Sequence, residues 1–461
     1  MASNATYDAL HAPYGATVTV YDQSGKELKD MSTTVAKDGT FTLKFAQSGT
    51  YTVKVSGEAS WGSYSDAPVA PSTCKVSVSS GGGSVGGGNT TDSEKDDKEI
   101  TTTLKPEVTT NSSGEAKVEV NSKDVTNALT QAEKDNADVL EIAPKVKGEA
   151  SKVEVKLPQE SLNKVADSGL GLNVNTPVAD VKLSEKAVAE LATQKGELSV
   201  TASSDKDGKI SIDVSVGGKS ADKIDGGLKV VLPDESKGKV MVIVNEDGTE
   251  TIVTKHIAKD GEHQAILPGS ATIKMIDNHK EFTDSKGHWG EDSINFVTER
   301  ELYQGVGNGK FDTEGTMTRA MLVTVLYRLE GETKANYEHN FTDVSDSQWY
   351  ADSVAWANEN NIVKGVADNS FDPDAFVTRE QVATILYRYA QYLDMSTHHK
   401  GDITQFIDHH EVSDWAKDAK SWAVGAGIIG GKPGNILDSN GNATRTEVAA
   451  IIERLITLMV K

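Results

Sequence analysis

Over residues 1–80 apolar and polar side chains alternate with a period of two. The stretches ATVTVYD, GTFTLKF and GTYTVKV place β-branched and aromatic residues on one face, and Ser24-Gly25, Asp38-Gly39 and Ser48-Gly49 supply turns between them. The expectation is a small β-sandwich-like, immunoglobulin-like domain over 1–80. Residues 81–99, GGGSVGGGNTTDSEKDDKE, break the pattern. Their glycines have nothing to bury and their charges repel, which predicts a flexible linker. Residues 100–280 read as a β-rich α+β domain. SKVEVKLP, KISIDVSV, KVMVIVNEDGTETIV and ATIKMID alternate as strands, with hairpin turns at Asp207-Gly208 and Asp247-Gly248. Helical spacing runs through VTNALTQAEKDNADVLEIAP, ESLNKVADSG and SEKAVAELATQKG, the last with Ser184 as N-cap.

From Phe282 onward the period becomes helical and the chain repeats itself. MTRAMLVTVLYRL (317–329) returns as VTREQVATILYRY (377–389) and as ATRTEVAAIIERL (443–455). Aligned on Trp289, Trp349 and Trp415, glycines follow at Gly305, Gly365 and Gly431, and arginines at Arg319, Arg379 and Arg445, without a gap. A phenylalanine-x-aspartate start precedes each tryptophan: Phe282/Asp284, Phe341/Asp343 and Phe406/Asp408. This is an internal repeat of stacked helical modules, over 281–335, 340–395 and 405–461. The second helix of each begins at Thr318, Thr378 or Thr444. Gln381 and Glu447 stand where a capping box wants them, and Met321 does not. The stripes Leu322/Val325/Leu326/Leu329, Val382/Ile385/Leu386/Tyr389 and Val448/Ile451/Ile452/Leu455 predict burial of one face of each helix.

Charge narrows the partners. The 461 residues carry 47 lysines and arginines against 69 aspartates and glutamates, a formal −22. So acidic a chain is a poor general binder of nucleic acid or anionic lipid, and an anionic ligand requires a local basic pocket. Cys74, the one cysteine, permits neither an internal disulfide nor a thiolate metal site. No apolar run is long enough for a membrane span. MASNATYDAL lacks the basic and apolar regions of a signal peptide, which fits either a cytosolic protein or a mature chain or fragment without its leader; a fragment is the expectation.

The repeated FTD…W…G…F-D…TR…LYRL pattern over 282–459 resembles the S-layer homology family. That resemblance implies an all-α, pseudo-threefold repeat bundle with ligand grooves between adjacent repeats. It also implies non-covalent attachment of a surface protein to a bacterial cell wall, through peptidoglycan-linked secondary polysaccharide that commonly carries pyruvate ketals. The family signature threonine-arginine-alanine-glutamate keeps its Thr-Arg three times here and its glutamate only as Glu447.

On that reading the glycan-binding candidates are Arg319, Arg379, Arg445, Asp284, Asp343, Asp408, Trp289, Trp349, Trp415, Gly305, Gly365 and Gly431. A guanidinium holds a ketal carboxylate by two parallel hydrogen bonds, and a helix start adds backbone N–H groups and a positive dipole end. The tryptophans would offer a flat face to a sugar, or lie in the core. The aspartates would accept sugar hydroxyls or fix the arginines, or cap loops. The glycines would admit ligand to the backbone, or serve turns. Arg328, Arg388 and Arg454 read as structural or solvated stems.

His398-His399 and His409-His410 lack helical ligand spacing, DSNGN (438–442) departs from a calcium loop, and GVGNG (305–309) lacks the preceding strand of a phosphate loop. Neither catalysis nor a cofactor or metal is expected. The expected setting is extracellular, at the cell wall, with residues 1–280 as stalk or display modules. The alternatives are an S-layer lattice subunit, self-assembling through its upstream domains, and the anchoring tail of an exported glycan-degrading enzyme.

Overall fold

A computed structural model of the chain describes residues 5–11, 17–21, 26, 28–29, 33–34, 40–45, 49–61, 64–78, 99–233, 240–259, 261–332 and 338–460; among the first 78, side chains are described only at 19, 20, 26, 28 and 29. The chain divides into two compact units, Met1–Asp96 and Asp97–Lys461.

In the first unit Ala5–His11 pairs antiparallel with Thr40–Phe45, and a four-stranded sheet runs in the order Thr33–Thr34, Thr17–Tyr21, Gly49–Trp61, Tyr64–Val78. All three expected strands are present. The turns at Ser24-Gly25 and Asp38-Gly39, and linker residues 81–98, lie outside the described residues.

Among the described residues, 99–276 build two large mixed sheets, a two-stranded parallel pair (Glu107–Thr109 with Lys145–Lys147) and three helices: α1 (Ser122–Asp135), α2 (Gln159–Asp167) and α3 (Glu185–Ala192). One sheet has seven strands, in the order His256–Lys259, Glu262–Leu267, Leu228–Pro233, Asp180–Leu183, Gly171–Asn175, Val139–Ile142, Thr101–Leu104. The other has eight, and its centre is formed by Ala271–Ile276, Ile210–Val216, Leu198–Ser204 and Lys152–Leu157. Both sheets and the three helices close on one apolar core that includes Leu140, Leu172, Val200, Val214 and Leu228. Ser184 caps α3 by accepting from the Ala187 N–H. The helix expected over 125–144 stops at Asp135, where Asn136 turns left-handed (φ 49°). VLEI then becomes the strand beside the edge strand Thr101–Leu104, because four residues, three apolar and Glu141, are too few to fix a period.

Among the described residues of the remainder stand six α-helices, α4 (Glu291–Glu299), α5 (Arg319–Leu329), α6 (Ala351–Glu359), α7 (Arg379–Tyr392), α8 (Lys417–Gly425) and α9 (Arg445–Val460), and three short 3-10 helices at Ile403–Gln405, His409–Glu411 and Asp414–Ala416. Each repeat contributes a first helix (α4, α6, α8) and a second (α5, α7, α9). All twelve residues of the expected stripes are buried in one shared core. Thr318, Thr378 and Thr444 accept from the backbone N–H three residues on. Gln381 and Glu447 return the bond to complete the box, while Met321 cannot.

The repeats are tied into a ring by their backbones. Met317 N–H donates to Ala443 C=O, Ala443 N–H to Val377 C=O, and Val377 N–H to Met317 C=O, each at 2.9 Å. All three residues are buried, so each backbone group finds its partner in a different repeat, away from water.

The repeats also carry part of the preceding domain. Ile257 lies in their core, Arg300 Nε donates to the His256 carbonyl (3.0 Å), Thr254 Oγ1 to the Leu329 carbonyl (2.9 Å), and Lys255 pairs with Glu330 (2.8 Å). The middle domain therefore packs on the repeats instead of standing apart as a separate stalk.

Candidate functional site

Each phenylalanine-x-aspartate start closes a loop on its own repeat. Asp284 accepts from Phe311 N–H and Asp312 N–H (2.8 and 2.7 Å), Asp343 from Phe371 and Asp372 (2.9 and 2.7 Å), and Asp408 from Leu437 and Asp438 (2.8 and 2.7 Å). These bonds hold Asp312, Asp372 and Asp438 at left-handed φ of 67°, 58° and 50°, which a short polar side chain tolerates. Burial by itself would raise the three carboxyls, but the backbone N–H groups together keep them below the ordinary 3.8. The aspartates therefore act as loop caps, and they do not hold the arginines.

The arginines cross to the next repeat. Arg319 donates through Nε to the Phe371 carbonyl (2.9 Å) and through Nη2 to the Lys364 carbonyl (3.1 Å). Arg379 makes the same bonds to Leu437 (2.9 Å) and Gly430 (3.0 Å), and Arg445 to Phe311 (2.9 Å) and Gln304 (2.8 Å). One peptide per repeat is thus gripped from both sides: its N–H by the repeat's own aspartate, its C=O by the preceding arginine. Arg319 and Arg445 also sit over Phe371 and Phe311, each 4.7 Å from the ring centre. All three arginines are buried, and burial lowers the Arg319 and Arg445 guanidinium values.

Beside the carboxylate-holding role expected of them, these arginines have a structural one: each clamps two repeats together. The helix-start N–H groups are not free for an anion. Arg319 N–H bonds the Ala375 carbonyl, Arg379 N–H that of Gly441, and Arg445 N–H that of Gly315.

The glycines answer to the phenylalanines. A Cβ on Gly305 would lie 2.6 Å from Phe282 Cε1, one on Gly431 2.5 Å from Phe406 Cε1, and one on Gly365 2.7 Å from the Ser370 carbonyl. None has a positive φ, so close packing fixes them, not a special turn.

The tryptophans point outward. Trp289, Trp349 and Trp415 are 65, 62 and 57% exposed, whereas Trp356 and Trp422 fill the core. Trp289 of the first repeat, Arg379 of the second, and Gly431, Lys432, Glu447 and Arg454 of the third line a groove of about 520 Å³. Lys432 Nζ bridges Asp438 (2.6 Å) and Glu447 (3.0 Å), and Glu447 also lies 3.5 Å from Arg379 Nη1. Three cations thus face this groove, with Glu447 as the acid among its lining. Arg454, read from the sequence as a stem, belongs to the lining and donates to the Ile428 carbonyl (3.3 Å). Lys432 went unnoticed because the other repeats place Val306 and Val366 after the glycine. Among the described residues no cluster of metal-ligating side chains occurs, and no helix is long and apolar enough to cross a membrane.

A family model of the S-layer homology domain matches residues 281–320 and 340–383. The chain is 32% identical over 177 residues to an amylopullulanase of Thermoanaerobacterium thermosulfurigenes, covering 38% of this chain and 10% of that protein. It is 30% identical over 195 residues to a surface-layer 125 kDa protein of Lysinibacillus sphaericus (42% and 16%), and 28% identical over 158 residues to a cellulosome-anchoring protein of Acetivibrio thermocellus (33% and 34%). The chain thus spans between a tenth and a third of these relatives. The third repeat lies beyond the matched residues but makes the same aspartate and arginine bonds as the first two. The C-terminal part of this chain carries S-layer homology domains.

Proposed function

We propose that residues 281–461 hold this protein non-covalently at a bacterial cell wall by binding anionic, pyruvylated polysaccharide in the grooves of a pseudo-threefold repeat bundle. The observation that carries the reading is the groove of Trp289, Arg379, Lys432, Arg454 and Glu447. It sets an exposed aromatic face beside a local excess of positive charge, on a chain of net −22. A sugar ring stacks on the indole, and a ketal carboxylate approaches the guanidinium edge left over from the inter-repeat clamp. The names of the relatives, an anchoring protein and a surface-layer protein among them, agree with attachment. The work assigned to these repeats is binding, not catalysis, and the sheets of residues 1–80, read as a β-sandwich, would be displayed outside the wall.

The test is sedimentation of the full chain with purified walls at pH 7.5, before and after mild acid removal of pyruvate ketals. Binding that falls with the ketals supports the reading. No binding to untreated walls overturns the anchoring function, and binding indifferent to ketal removal overturns the carboxylate ligand.

A further inference from the structure

The hairpin His256–Lys259/Glu262–Leu267 docks on the repeats through a buried histidine pair that the anchoring reading does not use. His256 is 0% and His263 1% exposed, their rings stack at 5.0 Å, and His256 Nε2 lies 2.8 Å from His263 Nδ1. At the C-terminal end of α4, Arg300 is buried, sits 3.6 Å over the Phe296 ring, and reaches His256 Nδ1 at 3.3 Å through Nη2. A guanidinium only donates, so His256 Nδ1 is an acceptor and its proton sits on Nε2. That proton is donated to His263 Nδ1, which must also be bare. The relay Arg300 → His256 → His263 exists only while both imidazoles are neutral.

We propose that this relay is an acid-sensitive latch, which holds the 256–267 hairpin on the repeats while both histidines are neutral and releases it when they protonate. A proton on His256 Nδ1 would break the Arg300 bond and set two cations 3.3 Å apart without water. A proton on His263 Nδ1 would break the bond between the rings. Burial, then the Arg300 charge, then His263 hold His256 well below the ordinary 6.5. Glu299 and Glu453, from α4 and α9, favour the Arg300 charge, and Glu330 pairs with Lys255 and Tyr389. His279, on Glu299 at 3.1 Å, is exposed and lies outside the buried site.

The sign follows from linkage. The open hairpin takes up a proton on His256 below about pH 6.5 and the docked one does not, so through His256 docking is complete above that pH and weakens as pH falls. At pH 5.0 the exclusion of a proton from His256 raises the opening equilibrium about 30-fold. The experiment is amide hydrogen exchange on the full chain at pH 7.5 and 5.0, corrected for intrinsic rates, comparing peptides over 256–267 with 198–216. The expected result is a rise of about 30-fold or more in opening of the hairpin, absent from 198–216, and lost in the His256→Gln/His263→Gln variant. Unchanged hairpin protection in the wild type, an equal rise at 198–216, or the same rise in the variant would overturn the latch. The wild-type comparison decides the matter even if the variant does not fold.

Discussion

Replacing Lys420 with isoleucine should stabilise the protein. Lys420 stands five residues after Trp415, where the first two repeats bury Ile294 and Val354. It is 0% exposed, and its Nζ has no hydrogen-bond partner among the described residues. Burial, reinforced by Arg379 and opposed by Glu380, Asp408 and Asp438, pushes the amine from 10.5 down to about 7. The unfolded chain at pH 7.5 keeps that proton and the native chain mostly gives it up. Roughly three pH units separate 7.5 from the ordinary value, and at about 1.4 kcal/mol per unit the penalty is about 4 kcal/mol. Local relaxation around the amine reduces this, so Lys420→Ile should gain about 2–4 kcal/mol at pH 7.5. Urea unfolding followed by tryptophan fluorescence reads the change directly. The wild type should also become more stable between pH 7 and 10.5, where the unfolded state binds the extra proton, and the variant should lack that slope. Equal stability at pH 7.5, or parallel pH curves, would refute the assignment of Lys420 as an uncompensated buried amine.

Asp408→Ala should cost about 3 kcal/mol, because two backbone N–H groups lose a charged acceptor; Asp408→Asn, which keeps one acceptor, should cost less in the same urea titration. The three loop aspartates have lowered carboxyl values, so their contribution is full above about pH 3.8 and is lost as pH falls through the lower native values, which an acid titration by circular dichroism will register. Gly431→Ala should destabilise by about 1–3 kcal/mol through the Phe406 clash, with a matching fall in thermal midpoint. Trp289→Ala, at an exposed position, should leave the urea midpoint within about 0.5 kcal/mol of the wild type and yet reduce wall sedimentation severalfold; loss of fold in this variant would remove the indole from the ligand-facing set.

Local periodicity determined a good deal of this protein from sequence alone. The alternating strands, Ser184 and the threonine caps, the apolar stripes and the equal tryptophan–glycine–arginine spacing were all legible. Each depends on residues a few positions apart or on identity between repeats. VLEI at 139–142 was not legible as a strand, because so short a mainly apolar stretch serves either period until its neighbours in the sheet are known. The role of the arginines was out of reach for a different reason. Arg319, Arg379 and Arg445 donate to backbone carbonyls, and every residue has a carbonyl, so the acceptor leaves no trace in the residue type. Their regular spacing announced a shared task, but only the ring closure of three repeats showed that the task includes joining them. The same holds for Arg300, His256 and His263: their meeting depends on where a hairpin of one domain lands on a helix of the next. Sequence set the helices and their buried faces; tertiary contact decided which polar groups those faces brought together, because partners distant along the chain are chosen by packing.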